Sequence, residues 1–377
     1  MQATTATKKV SFLSPEFNHL HILLLSFAMI LFGILMVYSS SALYAERLKG
    51  NEFHFILRHL THVTCGIFLF FCMAFIHYRS LRRYVVPLMS ISLILLIIVL
   101  IPYFGVKVYG ARRWISLYFF TFQPSEIYKL TILIWMADFL CRKKEHINKF
   151  SRSLFPILII MGIYLMLLLL QPDYGTAVLV ALTLLVITLI AGIPFFHLIV
   201  VLVTACGLFL YLAIDSAYRL RRIQSFIDPW ADTAGAGYQL TNSLIAYGGG
   251  GIFGRGFGDS LQKRFYLPQA HTDFIAAVMA EEVGLVGMIF FLVVLTMFIM
   301  TGFSISSRSK DPFGRYLAFG ITMLIAFQSL FHILVTMGLL PTKGIGLPFI
   351  SYGGSLTVIS ITMVGILYNI AYKNRHS

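Results

Sequence analysis

Ten apolar blocks dominate this chain, and their length makes lipid the solvent in which it must fold. A helix needs about 20 mostly apolar residues to cross a hydrocarbon core of roughly 30 Å. An unpaired backbone group inside that core is costly, so spanning segments must be helices or closed barrels. The blocks lie at 20–42, 55–76, 84–103, 124–141, 154–170, 175–191, 194–214, 272–300, 314–337 and 347–371. Only 12% of the residues are charged, where a soluble domain carries about a quarter. The pattern predicts an all-α integral membrane protein with ten transmembrane helices. A tail at 1–19 precedes the membrane domain, 20–372, and a tail at 373–377 follows it. One large extracytoplasmic loop, 215–271, joins helices seven and eight. The first block is too long for a signal-peptide core and reads as a retained helix. The four cysteines lie in or beside apolar blocks without zinc-site spacing, which predicts neither a disulfide framework nor a structural metal.

Parity rests on the break at Gly192–Pro194, read as a hairpin because that reading keeps the basic residues on one side. Alternate connections then hold 15 Lys and Arg residues against 7 in the opposite short ones, with six more in the long loop. By the positive-inside rule both termini are cytoplasmic. The thirteen basic residues left outside run against that rule. They suit an anionic ligand on the outer face, or equally lipid headgroups and local carboxylates.

Polar residues near that outer face are the candidate site. Asp273 stands where the eighth helix should begin, as a cap or as a reactive carboxylate. Ala276, Ala280 and Gly284 form a small-residue stripe for close packing. Glu281 and Glu282, which follow within the apolar block, suit structural hydrogen bonding. Pro124 opens the fourth helix, with Glu126 in its first turn. Lys129 lies about 8 Å further along the axis. A lysine at that depth needs an anion or a polar cavity, and both Asp273, across a pocket, and Glu126, one turn away, can supply the charge. Arg112 and Arg113 offer forks suited to a pyrophosphate, and Trp114 suits a sugar face or the membrane interface. The segment 340–355, with Lys343 and Ser351, mixes proline and glycine at membrane depth, so it must be buried or line a cavity. The glycine-rich run 247–258 permits close backbone approach to a phosphate but lacks a Walker lysine. Residues 218–226 read as an interfacial amphipathic helix, and Lys263 and His271 lie between the glycine run and Asp273.

GARRWI, FQPSEIYKL, QPDYGTA, PWADTAGAGYQLTNSLIA, QKRFYLPQAHTDFIAAVMAEEVGLVG and GLLPTKGIGLPFISYGGSL occur in that order. Together they resemble the successive motifs of the SEDS family of cell-wall glycan polymerases. PTKG and LPQAHTDF resemble its division branch, the FtsW-like members, more than the RodA-like elongation branch. Gln269 stands where glutamate is common in that branch, and Leu356 where serine is.

The resemblance implies a peptidoglycan glycosyltransferase of the cytoplasmic membrane that polymerises lipid II at the outer face in septal wall synthesis. The implied partners are a class B penicillin-binding protein, an FtsI-like transpeptidase, and other division proteins. It places the essential aspartate on Asp273 and the family lysine on Lys129. Asp273 would then be the general base for a sugar hydroxyl, paired with Lys129. The expelled undecaprenyl pyrophosphate calls for cations: Lys129, Arg112, Arg113, Lys343 or a divalent ion, magnesium or manganese, with Asp273 a candidate ligand. Trp114, Glu126, Lys263, His271 and Ser351 complete the expected substrate-binding set. A lipid II flippase and a non-catalytic scaffold for the transpeptidase are the competing classes.

Overall fold

The computed structural model describes residues 18–375 apart from 109–110, 118–119, 198, 201–202, 204–223, 236 and 265. Most of the expected seventh span and most of the 218–226 segment therefore lie outside the described residues. The helices are α1 (Asn18–Lys49), α2 (His54–Phe75), α3 (Val85–Ile98), α4 (Pro124–Arg142), α5 (Leu154–Leu170), α6 (Tyr174–Ile190), α7 (Tyr238–Gly249), α8 (Ile275–Arg308), α9 (Pro312–Thr336) and α10 (Gly354–Arg375). A 3-10 segment, Tyr78–Tyr84, leads directly into α3.

Among the described residues, six helical segments are long and apolar enough to cross a membrane: α1, α2, the 3-10 segment with α3, α8, α9 and α10. The apolar helices α5 and α6 are shorter, at 17 residues each. Outward-facing Phe75, Val86 and Phe290 are 82%, 74% and 70% exposed, a surface that only lipid accommodates. By contrast α4, α9 and α10 bury most of their length and form the centre of the bundle. Helices that are apolar on most sides sit inside a bundle. Asn369 of α10 locks the α2–α3 corner, accepting from the Tyr78 amide and donating to the Ala74 carbonyl.

Three features differ from the sequence expectation. The first is a three-stranded antiparallel sheet in an otherwise helical fold: β1 (Gly105–Val108), β2 (Ala111–Leu117) and β3 (Phe120–Phe122), with Gly105 opposite Ile115 and Ile115 opposite Phe122. Alternating β-branched and aromatic residues around Arg112 and Arg113 favour the pleat. The second is the start of α10 at Gly354 rather than 347, because Pro348 and the turn at Phe349–Tyr352 keep that apolar stretch out of a helix.

The third is a break in α8. Gly284 has φ 66° and ψ −170°, so the helix stops and restarts there. The freed backbone groups pair with the glycine-rich loop. The amides of Arg255 and Gly256 donate to the carbonyls of Glu281 and Glu282, and those of Leu285 and Val286 donate to Gly251 and Ile252. A Cβ on Gly250 would lie 2.1 Å from the Ala280 carbonyl oxygen, and one on Gly254 2.2 Å from that of Glu282. The glycines of this run thus permit backbone-to-backbone contact with a transmembrane helix, and the phosphate-loop reading is corrected accordingly.

Candidate active site

The starts of α4, α6 and α8 meet at one end of the bundle with the sheet and the segment 338–353. Pro124 at the first turn sets the start of α4. The Gln123 amide donates to Ser355 Oγ, tying that start to α10. Asp173 caps α6 by accepting from the Thr176 amide at 3.4 Å, and it also accepts from Gln123 Nε2 and Ser125 Oγ. Arg113 donates from Nε and Nη2 to the carbonyls of Gln171 and Pro172. Its Nε and Nη2 hold the sheet against the α5–α6 turn, an anchoring role that the sequence did not suggest. Arg112 and Trp114 lie beside it on β2, partly exposed, opposite Lys107 and Val106.

Asp273 lies two residues before α8, in a turn in which its amide donates to the Gln269 carbonyl. Gln269 has φ 58°, a left-handed conformation that strains a non-glycine residue. The cap residue of α8 is Phe274, without a side-chain capping bond, so the helix start does not explain the carboxylate. Instead the Asp273 carboxylate lies against Gly344, where an added Cβ would sit 2.8 Å from Oδ2. The missing side chain at Gly344 lets that oxygen lie close to the backbone. Lys343, next in the chain, places its ammonium 5.1 Å from the centre of the Tyr174 ring. Ser351 Oγ donates to the Thr272 carbonyl and accepts from the Leu347 amide, fastening 347–351 to the Asp273 turn.

Lys129 is 2% exposed, and its ammonium lies 2.7 Å from Glu126 Oε2 and 2.8 Å from Gln328 Oε1. The expected Lys129–Asp273 pair is thereby corrected: an anion one turn away on the same helix reaches the lysine with no long-range fit required. Gln328 Nε2 donates to the Gly346 carbonyl, and His332 Nδ1 lies 2.7 Å from the Ile345 carbonyl oxygen. A continuous polar track therefore runs from Asp273 through 344–346 to Gln328, Lys129 and Glu126. Along it Glu126 Oε2, Ser329 Oγ and His332 Nε2 are buried without a hydrogen-bond partner among the described residues. The Lys129 contact is thus a charge contact off the hydrogen-bond axis of Oε2. Buried polar atoms of this kind are costly unless water or a ligand completes them.

Lys263 is taken up elsewhere. Its ammonium lies 2.8 Å from Glu282 Oε1 and donates to Ser39 Oγ of α1 at 3.0 Å, with Glu282 1% exposed. Glu281 accepts from Ser260 Oγ and from the amides of Leu261 and Gln262. Both carboxylates are structural, pinning the 260–263 turn to α8, and Lys263 belongs with them rather than with a substrate. Among the described residues no three histidine, cysteine or acidic side chains converge as a metal ligand set.

His271 packs against the rings of Tyr44, Phe55 and Tyr352, with centroids 5.5, 5.0 and 5.6 Å away. Burial pushes its pKa down to about 4, against about 6.5 in an unfolded chain. Between those values the unfolded chain binds the extra proton, so this contribution is whole above pH 6.5 and is lost on acidification towards pH 4. Its ceiling is about 3 kcal/mol. Thermal unfolding of His271→Phe, which keeps the ring packing, should lose stability less steeply than wild type across that window; parallel curves would refute the assignment.

Sequence reasoning missed Gln328, His332 and the role of Asp173. Gln328 and His332 lie four residues apart within an apolar span, and that spacing, one polar face on a buried helix, was the available signal. These features define a polytopic helical membrane protein with a carboxylate and a buried lysine on one polar track at one end of the bundle. The chain belongs to the cell cycle protein family of FtsW, RodA and SpoVE, whose model matches residues 19–376. It is 40% identical over 358 residues to a probable peptidoglycan glycosyltransferase FtsW of Coxiella burnetii, covering 94% of this chain and 96% of that one. It is 36% identical to stage V sporulation protein E of Bacillus subtilis, covering 98% and 100%. Among solved structures it is similar to a chain of a peptidoglycan synthase complex described as coordinating polymerization and crosslinking, with a TM-score of 0.77, 26% identity, and 94% and 97% covered. It is also similar to the rod shape determining protein RodA of Thermus thermophilus, with a TM-score of 0.69, 25% identity, and 94% and 96% covered.

Proposed function

We propose that this chain is a peptidoglycan glycosyltransferase that polymerises lipid II into glycan strands in septal wall synthesis. The observation that carries the site is the Asp273 carboxylate seated against Gly344 at the head of a track that ends in buried Lys129. Asp273 accepts the proton of an acceptor-sugar hydroxyl as that oxygen bonds to the donor's anomeric carbon. The bond from that carbon to undecaprenyl pyrophosphate breaks, and the leaving anion meets the cations at this end, Lys343, Arg112 and Lys129. A magnesium or manganese ion would take Asp273 as a ligand, with others from phosphate and water.

Ten spans with both termini in the cytoplasm follow when the short helices α4, α5 and α6 and the 194–214 segment each cross. The basic residues of 79–83, 142–144 and 308–315 gather at the end of the bundle away from Asp273, as that orientation in the inner membrane requires. The site then faces outward, where a class B penicillin-binding protein would crosslink the product. The structural likeness to a complex of polymerization and crosslinking supports that partnership. A transporter presents the free ends of broken helices to its cargo. In α8 the carbonyls of Glu281 and Glu282 and the amides of Leu285 and Val286 at the break are already paired with the loop 251–256, which favours the enzyme.

The test is polymerisation of fluorescent lipid II by the purified chain with its transpeptidase, against movement of labelled lipid II across vesicles without polymer. Lys129→Ala should lower synthesis and also destabilise the fold by about 3–5 kcal/mol, because Glu126 is left as an unpaired buried charge. The double variant Lys129→Ala, Glu126→Gln should regain stability. If it also regains full synthesis, the lysine is structural only.

A further inference from the structure

At the end of the bundle away from Asp273, a second constellation of charge is built around Asp138. This carboxylate is buried on α4, and each of its oxygens holds one arginine through Nε: Arg82 on Oδ1 and Arg142 on Oδ2, both at 2.8 Å. Arg82 is further fixed by its guanidinium 5.5 Å from the centre of the buried Phe313 ring. Both arginines stay about half exposed, at 40% and 54%. Their Nη groups have no partner among the described residues. One carboxylate and one ring thus hold two forks in place with their bidentate ends uncommitted, the geometry that suits phosphate oxygens.

These forks line an open surface hollow of about 400 Å³ with Arg83, Val85 and Val86. A second cavity, about 270 Å³, shares Arg82 and adds Lys144, Arg315 and Asp311. The two linings hold five cations against two carboxylates, and Arg83 and Lys144 form no ion pair among the described residues. Charge placed only to orient the chain would be scattered over short loops; here it converges on a hollow large enough for a small ligand. The lipid side is marked too. Val86, at the rim, is 74% exposed on a segment able to span the membrane, and Tyr84 beside it is 59% exposed, as an interfacial aromatic would be.

We propose that this hollow binds the phosphate of an anionic membrane phospholipid, with the headgroup on Arg82, Arg83, Arg142 and Lys144 and the acyl chains along the face of α3 that carries Val86. Basic pockets between transmembrane helices are suited to such headgroups. The site is independent of the reaction at Asp273. Lys129 and Arg142 lie thirteen residues apart on α4, about 20 Å along its axis.

The test uses the full chain in detergent, with native mass spectrometry or calorimetry against short-chain phosphatidylglycerol, short-chain phosphatidylcholine and inorganic phosphate. Phosphatidylglycerol should bind about tenfold more tightly than phosphatidylcholine. The variant Arg83→Gln, Lys144→Gln removes two cations that form no ion pair among the described residues. It should weaken phosphatidylglycerol binding about 10- to 30-fold, the scale expected for two charges at a lipid surface. The variant Arg308→Gln, Lys310→Gln makes the same change in net charge outside the cavities and should bind as wild type. Equal binding of the two lipids, an unchanged Arg83→Gln, Lys144→Gln variant, or an equal loss in the Arg308→Gln, Lys310→Gln control would each overturn the site. Inorganic phosphate binding as tightly as phosphatidylglycerol would overturn the lipid as its source.

Discussion

Asp273→Asn should leave a folded protein that makes lipid II polymer about 10²–10⁴-fold more slowly than wild type, the range for losing a positioned general base. Asparagine matches the shape of aspartate, so the close fit against Gly344 is kept. The substitution removes no helix cap, because Phe274, not Asp273, occupies the cap of α8 and makes no side-chain capping bond there. What is lost to the helix dipole is about 0.3–1 kcal/mol. Activity and stability therefore separate at this position, whereas at Lys129 they fall together. Polymer yield and the thermal midpoint of the purified variant, measured on one preparation, make the comparison. Wild-type synthesis by Asp273→Asn would remove the base from the mechanism. Asp273→Glu moves the carboxylate by one methylene from its place beside Gly344, so it should recover little of the rate even though the charge is restored.

The sequence read well where one force dominates. Lipid demands long apolar helices, and the blocks that became α1, α2, α8 and α9 were visible as such. It read poorly where two local options were nearly equal in energy. Lys129 needed an anion, and residue types alone left Glu126 and Asp273 both available; the i, i+3 neighbour prevailed. Residues 105–122 were too short and too basic to announce a sheet, yet Arg113 can hold the α5–α6 turn only because β2 is extended. The stripe Ala276–Ala280–Gly284 correctly signalled close approach. Its partner at Ala280 and Gly284 is loop backbone rather than another helix. That follows from the glycine run at 247–258, whose spacing was apparent but whose target was not. Gln328 and His332 were hidden because an isolated polar residue in a span signals burial without naming what it touches.

The break in α8 leads to the largest expected effect on folding, from a substitution that adds one methyl group. Gly284→Ala should abolish the native fold or lower its stability by more than about 4 kcal/mol, a size reserved for a few mechanisms that here coincide. The conformation at φ 66°, ψ −170° is almost confined to glycine. The new Cβ would sit 2.1 Å from the Gly254 amide nitrogen, a backbone atom that cannot rotate away. Relief requires pulling the 250–256 loop off α8, which takes their partners from the amides of Arg255, Gly256, Leu285 and Val286. The first part of α8, Ile275–Glu282, is buried along its whole length and carries Asp273 two residues ahead of it. A variant that still folds by shifting that segment should therefore lose polymerisation as well. Gly162→Ala on α5 is the control: its Cβ meets nothing within 4 Å, so stability should be unchanged or slightly raised. Thermal unfolding in detergent and the yield of monodisperse protein distinguish the two. If Gly284→Ala unfolds at the wild-type temperature, the pairing of loop and broken helix does not hold this bundle together.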